Sequence, residues 1–158
     1  MQINTPSSEP QIATDSCDDP SMLYAVPLRI AVSALLILPV AFSIDCTPDH
    51  PTSVITLHGT DDSVIDYEGG EFGRPAEEVI AYWVDHNGIT GAPETATSTE
   101  GGDRVESALH TGGEGGTEVH HHRVVGGGHE WFDLSVDGAD TNTLVWDFVS
   151  RFGRSGAL

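Results

Sequence analysis

Apolar residues follow two spacings along this chain, one expected of buried strands and one expected of amphipathic helices. The β-branched runs TSVITLHG (52–59) and TEVHHHRVV (117–125) predict two strands. The segments RPAEEVIAYWVDHNGI (74–89) and TNTLVWDFVSRFG (141–153) carry apolar residues three and four positions apart, which predicts two helices. A strand, a loop and a helix that recur in this order are typical of a layered α/β fold.

The first predicted helix carries signals at both ends. Pro75 suits the first helical position, Glu77 and Glu78 suit the positive end of the helix dipole, and Gly88 suits the stop. The apolar stripes of the two helices predict which of their side chains face the core. These are Val79, Ile80, Trp83 and Val84 in the first helix and Leu144, Val145, Phe148, Val149 and Phe152 in the second.

The segment between the first predicted helix and the second predicted strand has a different composition. Residues 90–116 are rich in Thr, Gly, Glu and Ser and hold at most one short strand, near Arg104–Leu109. We therefore expect this acidic, glycine-rich segment to be a solvated surface insertion.

The N-terminal part of the chain divides into a polar and an apolar segment. Residues 1–21 are rich in Pro and Ser and predict a loop or disorder. Residues 22–44 are apolar, but their uncharged run of 15 residues is shorter than the roughly 20 that a membrane-spanning helix needs. The segment is either buried core or a signal or membrane segment, which leaves a secreted or a cytoplasmic location open. We assign residues 22–153 to one domain and 154–158 to a tail.

Charge is the most unusual property of the composition. The 158 residues include 25 Asp and Glu against six basic residues, all Arg, and the formal net charge is −19. Nucleic acid is excluded as a partner because phosphate contacts need a basic face. The acidity either keeps the surface solvated or adapts the protein to high salt, and the absence of lysine favours this halophilic interpretation.

The metal-binding residue types do not form a convincing site. On a strand, His120 and His122 share one face and His121 takes the other, but no third ligand is evident nearby, so we predict no metal. Cys17 and Cys46 are too few for a disulfide framework, and either one bridge or two free thiols would account for them.

Candidate catalytic residues follow the two predicted strands. LHGTDD follows the first and GGGHEW the second, so Asp62 and His129 each lie at the carboxyl end of a strand, where open α/β sheets carry their sites. Aspartate before histidine is the order of the last two members of a Ser–Asp–His triad. Asp61 and Asp62 would also suit a simple turn cap, and His58 is expected to be structural.

These motifs resemble a known family. SVITLHGTDDSVIDYEGG, RVVGGGHEWF and the aromatic-rich final helix resemble the poly(3-hydroxybutyrate) depolymerase-like and feruloyl-esterase-like branch of the α/β-hydrolases, over residues 45–153. The resemblance implies that Asp62 is the catalytic aspartate and His129 the catalytic histidine. Asp66 and Phe132 depart from the prolines usual in this family.

The larger departure from the family concerns the nucleophile. The chain has no G-x-S-x-G motif, and Ser33, in AVSAL, has Ala and Leu where the strained turn needs glycine. The resemblance therefore implies the C-terminal part of an α/β-hydrolase fold, with a partial, mostly parallel sheet and flanking helices. A sheet that lacks its first strands would expose an edge through which the chain could self-associate.

The implied function is hydrolysis of a small ester or polyester without a cofactor, impaired by the missing serine motif. Trp131 and Tyr67 are candidates for the substrate pocket, although Trp83, Trp131 and Trp146 also suit core or loop packing. Two alternatives remain open. One is a non-catalytic remnant or binding module of the same fold, and the other is an exported or membrane-tethered acidic protein. A partner chain could also supply the nucleophile.

Overall fold

The computed structural model describes residues 50–70, 73–153 and 156–158, and the backbone of 31–34. The predictions for the polar segment 1–21 and for Cys17 and Cys46 lie outside the described residues, as does most of the apolar segment 22–44. No helix in the described part of the chain is long and apolar enough to cross a membrane.

The described residues form a five-stranded mixed sheet. In spatial order its strands are β1 (Ala31–Ala34), β2 (Val54–Gly59), β5 (Val119–Val125), β4 (Arg104–His110) and β3 (Glu94–Ser98). The pairs β1–β2 and β2–β5 are parallel, whereas β5–β4 and β4–β3 are antiparallel. The expected α/β character is compatible with this sheet, but a mostly parallel sheet is not confirmed, because two of its four pairings are antiparallel.

The antiparallel half comes from the segment that we expected to be a solvated insertion. Strand β4 confirms the short strand expected near Arg104–Leu109, but it forms a hairpin with β3 that extends the sheet beyond β5, so the segment is more than a solvated insertion. Val105 and Ser107 of β4 face inward and are buried, whereas four of the five residues of β3 are exposed. A polar edge strand of this kind carries little apolar periodicity, which is why the sequence pattern did not predict it.

Two helices cover opposite faces of the sheet. Helix α1 (Ala76–His86) lies over the face that carries Val54 and Val119, and helix α2 (Thr141–Val149) lies over the face that carries Ile55. Successive residues of a strand point to opposite faces, so these two helices bury the two sides of β2 in separate cores. The predicted apolar stripes are confirmed for Ile80, Trp83 and Phe148, which are buried.

The chain after α2 differs from the helix that was predicted to reach residue 153. Helix α2 ends at Val149, and Phe152 lies in a short strand, β8 (Phe152–Gly153). This strand pairs with β9 (Gly156–Ala157), in the stretch that we assigned to a tail. A second two-stranded ribbon, β6 (Ser135–Val136) with β7 (Ala139–Asp140), precedes α2, and Asp140 caps that helix by accepting from the backbone N–H of Thr143 at 2.7 Å.

The parallel neighbours β2 and β5 deliver their following loops to the same edge of the sheet. The loops touch directly, because the backbone N–H of Asp61 donates to the Gly127 carbonyl at 2.9 Å. Gly59 permits this approach, since a Cβ atom there would overlap the Gly127 carbonyl. The topology therefore brings the residues after β2 and after β5 together.

Candidate functional site

Asp62 and His129 meet where these two loops touch. Nδ1 of His129 lies 2.9 Å from Oδ2 of Asp62, although the residues are 67 positions apart in the chain. The Asp62 side chain is buried, whereas the His129 side chain is 29% exposed. The structure thus brings together the two residues that the motifs singled out, one buried and one facing solvent.

The Asp62 carboxylate is held by the turn that it begins. Its Oδ1 accepts from the backbone N–H groups of Val64 at 2.9 Å and Ile65 at 2.8 Å. Burial by itself raises the pKa of Asp62, but the N–H of Ile65, the His129 hydrogen bond and the N–H of Val64 outweigh it and hold this pKa below its usual range. Asp62 therefore stays ionised although it is buried.

The ionised state of Asp62 fixes the proton position on His129. A carboxylate can only accept, so Nδ1 of His129 must carry the proton that lies between them. The neutral ring then has an unprotonated Nε2, on the side away from Asp62. An imidazole nitrogen in this state, on a partly exposed ring, can take a proton from a bound hydroxyl.

A second histidine lies against the Asp62 turn. Nε2 of His58, at the end of β2, is 2.8 Å from the Ile65 carbonyl oxygen and 3.6 Å from Oδ2 of Asp62. The His58 ring also packs against Tyr67, with the ring centroids 5.1 Å apart. These contacts confirm the structural role expected for His58.

Tyr67 is part of a buried polar network beneath this turn, and that differs from the pocket position predicted for it. It is only 2% exposed, and its hydroxyl lies 2.8 Å from Oε1 of Glu77 and 2.8 Å from Nε2 of His121. Nδ1 of His121 lies 2.6 Å from Oγ1 of Thr56. Little of the Tyr67 side chain remains for a ligand, so the structure assigns it to packing and positioning.

Sequence reasoning missed this network because its members come from three elements. The sequence indicated that Glu77 only complements the dipole of α1 and that His121 belongs to a polar, half-exposed strand. Alternation along β5 did separate His121 from His120 and His122, and this was the available signal. The pairing with Tyr67 depends on how α1 packs on the sheet.

The predicted pocket residue Trp131 is 49% exposed, two positions after His129. Val64, two positions after Asp62, is also exposed, so each of the two loops carries an exposed apolar side chain close in sequence to the pair. Trp146 is 67% exposed on α2, so it does not show the core or loop packing expected of it. Trp83, by contrast, is buried.

The nucleophile position is not filled by a described residue. The backbone of Ser33 lies within β1, level with Thr56 of β2, and not in a turn at the end of a strand. Across the stretches for which side chains are described, His129 makes no hydrogen bond to a hydroxyl or thiol. A G-x-S-x-G elbow, as noted above, does not occur in the sequence.

The histidines of β5 do not form a metal cluster. The rings of His120 and His122 are 4.0 Å apart, and His122 shares a 2.8 Å hydrogen bond with Ser107. Burial lowers the pKa of His120 to about 4 and that of His122 to about 3, so both rings are neutral. No group of three or more His, Cys, Asp or Glu among the described residues could hold a metal ion.

Comparison with known proteins links the chain to an esterase. It is 26% identical to feruloyl esterase B of Piromyces equi over an alignment of 171 positions, which covers 90% of this chain and 30% of that protein. The chain thus spans less than a third of the length of this relative. No family model matches the chain. This distant likeness, which extends over most of the chain, indicates an esterase-like relationship.

Proposed function

We propose that this chain carries the acid–base half of a carboxylic ester hydrolase of the feruloyl esterase or polyhydroxybutyrate depolymerase type. The observation that carries the proposal is the 2.9 Å hydrogen bond from His129 to a buried, ionised Asp62. The two residues follow adjacent parallel strands in the order expected of a triad, and the likeness to feruloyl esterase B supports the same reaction class.

The fold proposed for this function is the C-terminal part of an α/β-hydrolase. Strands β1, β2 and β5 would be its last parallel strands, and α1 and α2 would be the helices on its two faces. The hairpin of β3 and β4 would be an antiparallel extension beyond the strand that leads to the histidine. This assignment is supported by the parallel register of β2 with β5 and by the positions of the two loops.

The proposed reaction uses His129 twice. A serine hydroxyl gives its proton to Nε2 of His129 while its oxygen forms a bond to the ester carbonyl carbon. The tetrahedral intermediate then breaks its bond to the alcohol oxygen, which takes the proton from Nε2, and an acyl-enzyme remains. Water repeats both steps and releases the acid. Asp62 stays ionised throughout and stabilises the imidazolium ion that forms.

A second candidate function is a non-catalytic remnant of the same fold. The observation that favours it is the lack of a G-x-S-x-G motif in the sequence, together with the position of Ser33 within a strand. In that case the Asp62–His129 pair would persist without a hydroxyl to activate.

Covalent labelling separates the two candidates. We expect a fluorophosphonate ester to label one hydroxyl of the folded chain, and peptide mass spectrometry then identifies the residue. Labelling should fall at least about 100-fold in His129→Ala, since general-base assistance contributes a factor of this size. His86→Ala, which changes a histidine on α1, should label like the wild type. Equal labelling of all three proteins, or none, would favour the remnant.

A further inference from the structure

We propose that His58 is a positioning residue for the His129–Asp62 pair. It closes the turn that carries Asp62 and thereby sets which nitrogen of His129 holds the proton. The inference rests on the proposed function for its catalytic meaning, but its test observes the imidazole of His129 itself and needs no turnover.

The proton on His58 is fixed by the group that its Nε2 contacts. Its Nε2 lies 2.8 Å from the Ile65 carbonyl oxygen, and a carbonyl oxygen can only accept, so Nε2 must donate an N–H. The same nitrogen lies 3.6 Å from Oδ2 of Asp62, the oxygen that receives His129. His58 thus holds the far end of the Asp62–Ile65 turn and lies beside the carboxylate at its start.

The His58 ring itself has a fixed support. It packs on Tyr67, whose hydroxyl donates to the Glu77 carboxylate and must therefore accept from Nε2–H of His121. Nδ1 of that neutral ring accepts from the Thr56 hydroxyl. Every donor in this chain of hydrogen bonds has one acceptor, so the network has a single proton arrangement and holds Tyr67 in place.

The Asp62 carboxylate connects the turn with His129. The tautomer of a neutral histidine follows the hydrogen bond that one of its nitrogens makes. Asp62 fixes the Nδ1–H form of His129 only while Oδ2 stays aimed at that ring. If the His58 N–H is lost, the Ile65 end of the turn is released and the carboxylate can rotate away.

The experiment measures the side-chain nitrogen chemical shifts of His129 by long-range proton–nitrogen correlation in the full chain. The spectra are recorded at about pH 8, above the pKa of an ordinary histidine. We expect the wild type to show the Nδ1–H tautomer and His58→Leu to show at least a twofold loss of that form. His58→Gln should restore it, since the amide of glutamine can occupy the place of Nε2 and donate to Ile65.

A matched control comes from His86 on α1. Its Nε2 also lies 3.0 Å from a backbone carbonyl oxygen, that of His50, and neither residue belongs to the Asp62–Ile65 turn. His86→Leu and His86→Gln should both leave the tautomer of His129 as in the wild type. If His58→Leu fails to fold, His58→Asn replaces it, because asparagine keeps an amide that stops short of the Ile65 oxygen.

The outcomes separate this inference from the proposed function. An unchanged His129 tautomer in folded His58→Leu or His58→Asn would overturn the positioning role and leave the esterase proposal standing. A tautomer that shifts in these variants and returns in His58→Gln supports the positioning role even if the wild type hydrolyses no ester, a result that would overturn the esterase proposal alone.

Discussion

The Asp62 carboxylate accepts hydrogen bonds from the N–H groups of Val64, Ile65 and His129, and these bonds favour its ionised form. Because its folded pKa is depressed, Asp62 contributes stability that is fully present above its unfolded value near 3.8. That contribution is lost as the pH falls through the lower folded value. At neutral pH the residue is therefore both a structural anchor and the partner of His129.

Replacement of Asp62 tests this anchoring role. We expect Asp62→Ala to lower the free energy of unfolding by about 3 kcal/mol, because three donors lose a charged acceptor in a largely buried place. Asp61→Ala is the matched control, since the neighbouring side chain is exposed, and its effect should stay within about 0.5 kcal/mol. Urea denaturation measures both variants. Equal midpoints for the two would show that Asp62 is no more than a turn residue.

Contacts between residues were predictable from the sequence only where the predicted strands alone determine them. Asp62 and His129 could be paired because each follows a strand, and adjacent parallel strands end at one edge. The network of Tyr67, Glu77 and His121 could not be predicted, because its contacts depend on the packing of α1 against the sheet. Trp146 shows the same limit, since the sequence of a helix does not reveal whether an aromatic residue beside its apolar stripe is covered by the rest of the protein.

At the level of elements, the junction between β2 and β5 decides where the site forms. Gly59 ends β2, and a Cβ atom at this position would collide with the backbone of Gly127 and approach that of Gly128 to 2.8 Å. Backbone cannot move aside as a flexible side chain can. The two loops that carry Asp62 and His129 stay in contact only because residue 59 has no side chain.

Replacement of Gly59 at this junction should therefore separate the two loops. We expect Gly59→Ala to destabilise the fold by at least about 1 to 3 kcal/mol, the usual cost of overpacking, and to weaken the His129–Asp62 hydrogen bond. Gly91→Ala is the control, because a Cβ atom at that position meets nothing within 4 Å. Thermal melting gives the stability, and the side-chain N–H resonance of His129 reports on the bond. A melting temperature of Gly59→Ala equal to that of Gly91→Ala would contradict this account.

The elements themselves were only partly predictable. Strands β2 and β5 and helix α1 were expected within two or three residues, because apolar runs and capping residues mark them. Strand β4 lies where one short strand was expected, near Arg104–Leu109, but the hairpin that it forms with β3 was not expected, since β3 reads ETATS and has no buried face to impose a period of two. The mixed character of the sheet follows from that hairpin, so it was missed for the same reason.

At the scale of the whole molecule, two buried histidines link folding to pH. Burial lowers the pKa of His121 and of His122 to about 3, against about 6.5 for an unfolded chain. Between about pH 6.5 and pH 3, these two histidines are therefore protonated in the unfolded state but neutral in the folded state. The stability that these residues contribute is complete above about pH 6.5 and is lost progressively below it.

Acid should consequently weaken the fold before the carboxylates protonate. At about pH 5 each of these two histidines should reduce the free energy of unfolding by about 2 kcal/mol relative to neutral pH. Urea midpoints at about pH 7 and pH 5 measure the loss, in high salt so that the change in net charge is screened. His122→Gln should show a shallower dependence on pH. Identical midpoints at the two pH values would refute the buried neutral state.

Net charge is the second property of the whole molecule with a measurable consequence. With a formal charge of −19, the folded chain repels itself, and salt should raise its melting temperature until the Debye length falls to about 3 Å near 1 M. Asp85→Asn, Asp103→Asn, Glu114→Gln, Glu130→Gln and Asp133→Asn together remove five exposed charges, and this variant should depend less on salt. A wild type whose melting temperature is the same in 0.1 M and 1 M potassium chloride would contradict the halophilic interpretation.

The most direct test of the central claim is hydrolysis of a short-chain p-nitrophenyl ester by the purified chain in high salt. The wild type is compared with His129→Ala and with His86→Ala, each shown to be folded by circular dichroism. The proposed role of His129 predicts a wild-type rate that falls at least about 100-fold in His129→Ala and is unchanged in His86→Ala. A folded wild type no faster than His129→Ala would contradict a catalytic role for His129 in this chain.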